Sequence, residues 1–140
     1  MGIQINSDSK SALELVQLYV DKFSFHRTAK ISSSETEMLI TTGIKDLPGN
    51  THEVQLAAKF NDENGDLSLE ISIVGIFKFD VELEDTEFKR QIIEKNTIAI
   101  MFPFLRSQTT LLTTQPDLTP FVIPILNINN FIEEQKKSRG

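Results

Sequence analysis

The sequence of 140 residues carries 14 basic and 20 acidic residues, which gives a net charge of -6, and it contains no cysteine. A chain of this length predicts one domain with a sizeable core. The acidic balance argues against nucleic acid as a primary partner, because phosphate-binding surfaces need concentrated lysine and arginine. Without cysteine the chain forms neither disulfides nor thiolate metal sites, which is compatible with a reducing cytoplasm.

No targeting or membrane segment is expected. Residues Met1 to Lys10 are polar and lack the apolar stretch of a secretory signal, so we expect no signal peptide and a frayed start. No run approaches the roughly 20 apolar residues that a membrane-spanning helix requires. We therefore expect a cytoplasmic protein without membrane insertion.

The first strand of the chain is predicted around its aromatic residues. Residues 12–16 fit a helix, but from Tyr19 the pattern is that of a strand, with Tyr19, Phe23 and Phe25 in one phase. After a serine-rich linker, a second strand is predicted over Glu37 to Ile44.

Two further strands are separated by strong turn sequences. The run Asp46 to Asn50 contains Pro-Gly and predicts a turn, after which His52 to Phe60 alternates apolar and polar residues. The polar run Asn61 to Asp66 predicts a solvated turn into Leu67 to Ile73, which has the clearest period of two in the sequence. Gly75 extends this strand and indicates a bulge or a close backbone approach.

A long helix follows the predicted strands. Asp85 or Thr86 can cap it, and its apolar face continues to Leu112. Pro103 lies in the middle of this pattern, between Phe102 and Phe104. Because proline lacks the backbone donor of a helix interior, the sequence predicts either a kink or a helix start there.

The last part of the chain is predicted to be an extended crossover and a short helix. Leu118 to Leu126 contains two prolines, which are incompatible with a regular helix or a central strand. Asn127 can cap a helix from Ile128 to about Lys136, whose basic end suits the negative end of the helix dipole. The order of elements predicts an α+β fold, with helices packed on one face of a four-stranded antiparallel sheet.

The sequence offers no catalytic or cofactor-binding motif. His26 and His52 are far apart and lack the spacing of a metal site, so both are predicted to be surface residues. The glycines are isolated, which excludes a phosphate-binding loop of the usual kind. The acidic runs do not have the ligand spacing of a calcium loop. We expect no enzyme activity, no cofactor and no metal.

Apolar residues are more numerous than one short helix can cover. Some of them should be exposed or shared between chains, as at a protein interface; the alternative is ordinary core packing. Aspartate substitution separates the two, since it would weaken binding more than folding at an interface and would unfold the protein in a core. The residues concerned are Met38, Ile40, Leu69, Ile71, Ile73, Phe121, Val122, Ile123, Ile125, Ile128, Phe131 and Ile132.

Four short motifs occur in a characteristic order. They are Gly75-Ile76-Phe77, Phe102-Pro103-Phe104 with Arg106, the break after Thr114, and Pro124 followed by Asn127-Ile128. In this order and spacing, from about Tyr19 to Ile132, the chain resembles the SecB family of protein-export chaperones.

The resemblance implies a single SecB-like domain over residues 1–140, with residues 136–140 as a polar tail. It implies four antiparallel strands, a long helix, an extended crossover and a short C-terminal helix, assembled as a homotetramer that is a dimer of dimers. The function implied is ATP-independent holding of unfolded precursor polypeptides for export. The client-binding groove implied by position consists of Met38, Ile40, Leu69, Ile71, Ile73, Phe121, Ile128 and Ile132.

The family uses acidic residues to dock the SecA translocation motor. Glu70 matches one such position near the end of the last strand, whereas Lys22 and His26 stand where acids of the first strand are expected. SecB-like proteins also serve as dedicated chaperones of antitoxins in toxin-antitoxin systems. The resemblance therefore leaves two alternatives, a general export holdase and a partner-specific chaperone or interaction protein.

Overall fold

The computed structural model describes residues 13–28, 36–79 and 86–139. The predicted α+β class, with a four-stranded antiparallel sheet and two helices, is confirmed. The predicted frayed start, the serine-rich linker and the cap at Asp85 lie outside the described residues. The elements are β1 (Leu13–Arg27), β2 (Thr36–Leu47), β3 (Thr51–Asp62), β4 (Leu67–Phe79), α1 (Thr86–Leu112) and α2 (Ile128–Arg139).

The sheet has the strand order β1-β4-β3-β2, so that β1 and β2 are its two edges. Strands β2, β3 and β4 form consecutive hairpins, and β1 pairs antiparallel with β4. The turn between β2 and β3 places Gly49 and Asn50 at φ 78° and 57°, and Gly65 has φ 75° in the next turn. These left-handed conformations are the reason glycine and asparagine stand there.

Strand β1 differs from the prediction in where it begins and in which of its aromatic residues share a face. It begins at Leu13, which pairs with Phe79, so the predicted helix is wrong where residues 13–16 are concerned. Pairing along the full length of β4 outweighs the local helical pattern. The register also shifts between Val20 and Lys22, which leaves Tyr19 exposed while Phe23 packs against the core. Tyr19 and Phe23 therefore do not share a face.

Two polar residues at the ends of β3 are buried, contrary to the prediction of surface positions. His52 is 7% exposed and Asp62 is 8% exposed, since both are in phase with the buried apolar residues of β3. The His52 ring forms a 3.0 Å hydrogen bond with Asp46, whose other carboxylate oxygen lies 3.3 Å from Arg90. His26 is exposed, as predicted.

Helix α1 continues through Pro103, so a helix start at this proline is wrong. Proline removes the hydrogen bond to the carbonyl four residues earlier, which belongs to Ala99. Both residues are exposed. Water can therefore satisfy the freed carbonyl.

The core lies between one face of the sheet and α1. Gly75 on β4 allows α1 to approach closely, because a Cβ there would lie 2.8 Å from Phe77 Cε1 and 3.1 Å from Met101 Sδ. Of the two predictions for Gly75, the close approach is confirmed. The largest fully buried apolar side chains are Val54, Leu56, Leu69, Ile71, Ile73, Phe77, Ile98, Met101, Leu105 and Ile123.

Candidate functional site

An open groove of about 750 Å³ lies between the edge strand β2, helix α2 and the crossover, residues 113–127, that joins α1 to α2. We call it the β2–α2 groove. Its lining includes the exposed charges of Glu37, Lys59 and Glu134, which suit the solvated margin of an apolar surface. The apolar residues that line it are Met38, Leu39, Phe60, Phe121, Pro124, Leu126 and Phe131.

The crossover forms one wall of the groove because hydrogen bonds attach it to α1 and β1. The backbone N–H of Phe121 donates to Thr113 Oγ1 at 2.8 Å. Arg106 Nε donates to the carbonyl of Ile123 at 2.9 Å, and Arg27 donates to the carbonyl of Thr119. An extended segment with prolines cannot satisfy its own backbone, so these side chains replace a strand partner.

Phe121 joins this wall to the sheet. Its ring centroid lies 4.8 Å from that of Phe60 on β3, at an interplanar angle of 57°. Phe60 is buried, whereas Phe121 is half-buried. The tilted contact is favourable for two aromatic rings and leaves part of Phe121 available to the groove.

Helix α2 forms the opposite wall. Asn127 Oδ1 accepts a 3.0 Å hydrogen bond from the N–H of Asn130, which confirms the predicted cap. Asn129 Nδ2 donates to the carbonyl of Lys95 on α1 at 3.1 Å. The helix continues to Arg139 rather than ending near Lys136.

A side chain of α2 also binds the backbone of β2. Gln135 Oε1 accepts a 2.9 Å hydrogen bond from the N–H of Ile40, and Gln135 Nε2 donates to the carbonyl of Ile40 at 2.7 Å. One primary amide therefore satisfies both backbone groups of one residue on the edge strand.

The residues predicted for the groove occupy three kinds of position. Met38 and Phe121 line the β2–α2 groove. Ile132 is half-buried and lines a separate cavity of about 250 Å³ between β2, α1 and α2, whose other lining residues are mostly polar. The remaining five are almost completely buried in the core, namely Ile40, Leu69, Ile71, Ile73 and Ile128.

Sequence reasoning did not assign several groove residues. Leu39, Phe60 and Leu126 line the groove but were predicted only as parts of strands or of the crossover, and Phe131 was included among the surplus apolar residues but not in the groove. The phase of β3 marks Phe60 as facing the helices. Nothing in the sequence marks the amide of Gln135, because its partner is the backbone of a strand 95 residues away.

Glu70 lies on the outer face of the sheet and forms an ion pair with Lys22. The hydrogen bond from Lys22, with the attraction of its charge, holds the pKa of Glu70 below its ordinary value. The same contact raises the pKa of Lys22. Lys59 is the neighbour of Glu70 on β3, so this position does not present an isolated acidic group.

Large apolar side chains are also exposed away from the groove. Tyr19 on β1 and Phe104 on α1 are both exposed, and both line one small cavity of about 170 Å³, together with Gln108. Ile125 of the crossover is 86% exposed. The others are Val16, Leu111, Leu112 and Val122.

The comparisons with known proteins show what fold this is. No protein-family model matches the sequence, and no curated protein is detectably similar to it. The SecB-like chaperone Rv1957 of Mycobacterium tuberculosis, solved in complex with a ChAD peptide from the HigA1 antitoxin, aligns with a TM-score of 0.66 over 86% of this chain and 91% of that chain. The chain has the SecB-like fold. Sequence identity in this alignment is 11%, and the resemblance read from the sequence motifs is confirmed for the fold.

A second solved structure, a protein of unknown function from Streptococcus agalactiae, aligns with a TM-score of 0.46 and 14% identity, over 81% of this chain and 97% of that chain. Within this SecB-like chain, the described residues include no cluster of three or more side chains suited to a metal ion. Neither described helix has the length and apolar character needed to cross a bilayer.

Proposed function

We propose that this protein is an ATP-independent holdase that binds unfolded polypeptides in the β2–α2 groove. The observation that carries the proposal is an open, apolar groove of about 750 Å³ on a SecB-like fold. The aromatic and aliphatic residues that line the groove come from β2, β3, the crossover and α2. The sequence-based expectation that the protein is not an enzyme remains part of the proposal.

The physical basis is burial of apolar surface, which stabilises a complex by about 25 cal/mol per Å² and needs no particular side-chain geometry. Any exposed apolar segment can therefore bind. Folded proteins hide such segments, so the groove distinguishes unfolded from folded clients without ATP. Charged lining residues such as Glu37 and Lys59 would keep the empty groove hydrated at its margin.

Within this proposal, the client contacts are those of the open groove. Met38 and Phe121 belong to the set expected from the sequence, and Leu126 and Phe131 extend it. The five buried members of that set would support the groove from beneath, since they fix the backbone that carries its exposed side chains. Ile132 would act at the other side of α2.

A partner-specific chaperone is the second candidate function. The SecB-like structural neighbour was solved with a peptide from an antitoxin. In the present chain Glu70 is paired with Lys22, and His26 is exposed on the same strand as Lys22, so these three positions do not present the free acids expected for SecA docking. These two observations support a dedicated client, such as an antitoxin, as the alternative to export through the motor.

We further propose that the chain assembles as a homo-oligomer, a dimer of dimers. The support is the exposed apolar surface shared by β1 and α1, where Tyr19 and Phe104 line one cavity. An exposed sheet edge next to apolar helix surface is stabilised by a second copy. The molar mass in solution tests this, because a monomer at micromolar concentration would contradict it.

The experiment for the main proposal is dilution of a chemically denatured client with stoichiometric protein and no ATP, followed by light scattering. We expect aggregation to be suppressed for several unrelated clients. A panel of unfolded precursors and one antitoxin then separates the two candidates. General suppression supports the export holdase, and suppression of the antitoxin alone supports the dedicated chaperone. If every client aggregates as it does without the protein, the proposal is lost.

A further inference from the structure

The contact between Gln135 and Ile40 has the form of strand pairing. In an antiparallel sheet, two directly opposed residues of a hydrogen-bonded pair exchange N–H and C=O bonds with each other. Gln135 makes this exchange with its side-chain amide, at 2.9 Å and 2.7 Å. The amide thus occupies the place of one residue of a fifth strand.

The geometry of β2 supports this interpretation. Among the described residues, β2 is an edge of the sheet, and Ile40 lies opposite Ala58 on its partner strand β3. Backbone groups of a strand alternate in direction from one residue to the next. Met38 therefore directs its N–H and C=O toward the same free edge as Ile40, and its side chain lines the β2–α2 groove.

We propose that Gln135 is a displaceable placeholder, and that a bound client adds to β2 as an extended strand by replacing the Gln135 amide at Ile40. This inference rests on the proposed function and specifies the conformation of the client. Displacement requires rotation of the half-buried Gln135 side chain and movement of the C-terminal part of α2 away from β2, because an added strand occupies the space between them. Asn129, near the other end of α2, holds the helix to α1.

The occupant is an extended peptide with alternating apolar side chains. A strand paired with β2 directs every second side chain to the face that carries Met38, where Phe121 and Phe131 supply apolar contacts. The intervening side chains face away from the groove and can be polar. Backbone pairing supplies binding that is independent of sequence, and the groove selects the apolar alternation.

The test uses a fluorescent ten-residue peptide of alternating leucine and serine. Two further peptides carry N-methyl groups on one or the other alternate set of backbone nitrogens, which removes donors from one edge only. Binding is measured by fluorescence anisotropy to the wild-type protein, to Gln135→Ala and to Lys137→Ala. Lys137 is exposed on the same helix and does not line the groove, so it controls for changes in α2.

We expect one methylated peptide to lose about tenfold or more in affinity, while the other binds like the parent peptide. Gln135→Ala should bind the parent peptide about three- to tenfold more tightly, which is about 0.7–1.4 kcal/mol. The Ile40 amide should exchange slowly in the free wild-type protein, rapidly in free Gln135→Ala, and slowly again when the peptide is bound. Lys137→Ala should behave like the wild type.

Three results would overturn the inference in different ways. If the parent peptide binds neither protein, the groove proposal fails and this inference fails with it. If all three peptides bind equally and Gln135→Ala changes none of their affinities relative to Lys137→Ala, the proposal of client binding in the groove remains. The proposal that a client strand displaces the Gln135 amide is then wrong. Equal weakening of all peptides by Gln135→Ala would assign the amide a structural role only.

Discussion

The rings of Phe60 and Phe121 lie 4.8 Å apart at an angle of 57°, and this contact attaches the crossover to the sheet at the base of the β2–α2 groove. Phe60 is fixed by β3, whereas Phe121 belongs to a segment without regular secondary structure. The position of Phe121 therefore depends on this ring contact and on the hydrogen bond of its N–H to Thr113.

Replacing Phe121 with alanine should affect binding and stability together. We expect the free energy of unfolding to fall by about 1–2 kcal/mol, because a half-buried ring and its aromatic contact are lost. Binding of an unfolded client should weaken about tenfold, as is usual for an aromatic residue in the centre of an interface. Denaturant titration and client-binding titration measure the two effects.

Phe121→Leu is the matched control, since it keeps an apolar side chain of similar length. It should retain most of the binding and lose mainly the aromatic contact. Equal binding by wild type, Phe121→Leu and Phe121→Ala would remove Phe121 from the client contacts.

Aspartate substitutions should separate groove positions from core positions. Met38→Asp leaves a charge at the half-buried edge of the groove, so the protein should fold and bind clients about tenfold more weakly. Ile71 is 0% exposed, and Ile71→Asp should cost more than about 4 kcal/mol and prevent folding. Thermal melting and a client-binding titration distinguish these outcomes.

Thr41→Asp is the control for the new charge. Thr41 is exposed on the same strand as Met38, but its side chain faces the opposite side of the sheet. It should bind clients like the wild type. A folded Ile71→Asp protein that has lost only client binding would move Ile71 from the core to the groove.

The elements of this fold are readable from the sequence where local patterns are strong. The alternation from Val54 to Phe60 predicts β3 and its buried face, and the same phase extends to His52 and Asp62. When the alternation is extended to both ends of β3, it places His52 and Asp62 on the buried face. The surface prediction for His52 failed because it relied on residue type rather than on phase.

The groove was less accessible to sequence reasoning, for a physical reason. Its walls depend on contacts between distant segments, such as Arg106 with Ile123 and Gln135 with Ile40, that leave no local periodicity. The sequence identified an excess of apolar residues but not which of them the sheet and helices would cover. Ile71 and Met38 look alike in sequence and differ only in their place relative to α1 and the crossover.

Gly75→Ala should destabilise the protein by about 1–3 kcal/mol through overpacking. The added Cβ would lie 2.8 Å from Phe77 Cε1 and 3.1 Å from Met101 Sδ, and both side chains are fully buried and cannot move into solvent. Gly43→Ala is the control, because its Cβ would meet only Gln55 at 3.8 Å. Calorimetry should show a lower melting temperature for Gly75→Ala alone; equal values for the two variants would contradict the close approach.

The ion pair between Lys22 and Glu70 should be visible as a pH effect. Because the folded pKa of Glu70 is lowered, its contribution to stability is present above the unfolded glutamate pKa of about 4.3 and is lost as the pH falls through the folded value. Lys22→Ala should raise the pKa of Glu70 toward its ordinary value, and an NMR titration of the Glu70 side chain measures this. Exposed Lys45 provides the control Lys45→Ala; an unchanged pKa in Lys22→Ala would mean that the pair does not persist in solution.

Thr113→Val should loosen the crossover without removing any apolar side chain from the groove. It deletes the acceptor for the Phe121 N–H, which lies 2.8 Å from Thr113 Oγ1, and should cost about 1–3 kcal/mol because that donor is left without its partner. Client affinity should fall with it, since Phe121 is no longer held at the wall. Thr114→Val removes only a hydroxyl bonded within the helix at Thr110 and should be nearly neutral. Hydrogen exchange of the Phe121 amide tests this prediction. Equal protection in Thr113→Val and Thr114→Val would show that the hydroxyl of Thr113 does not position the crossover wall of the groove.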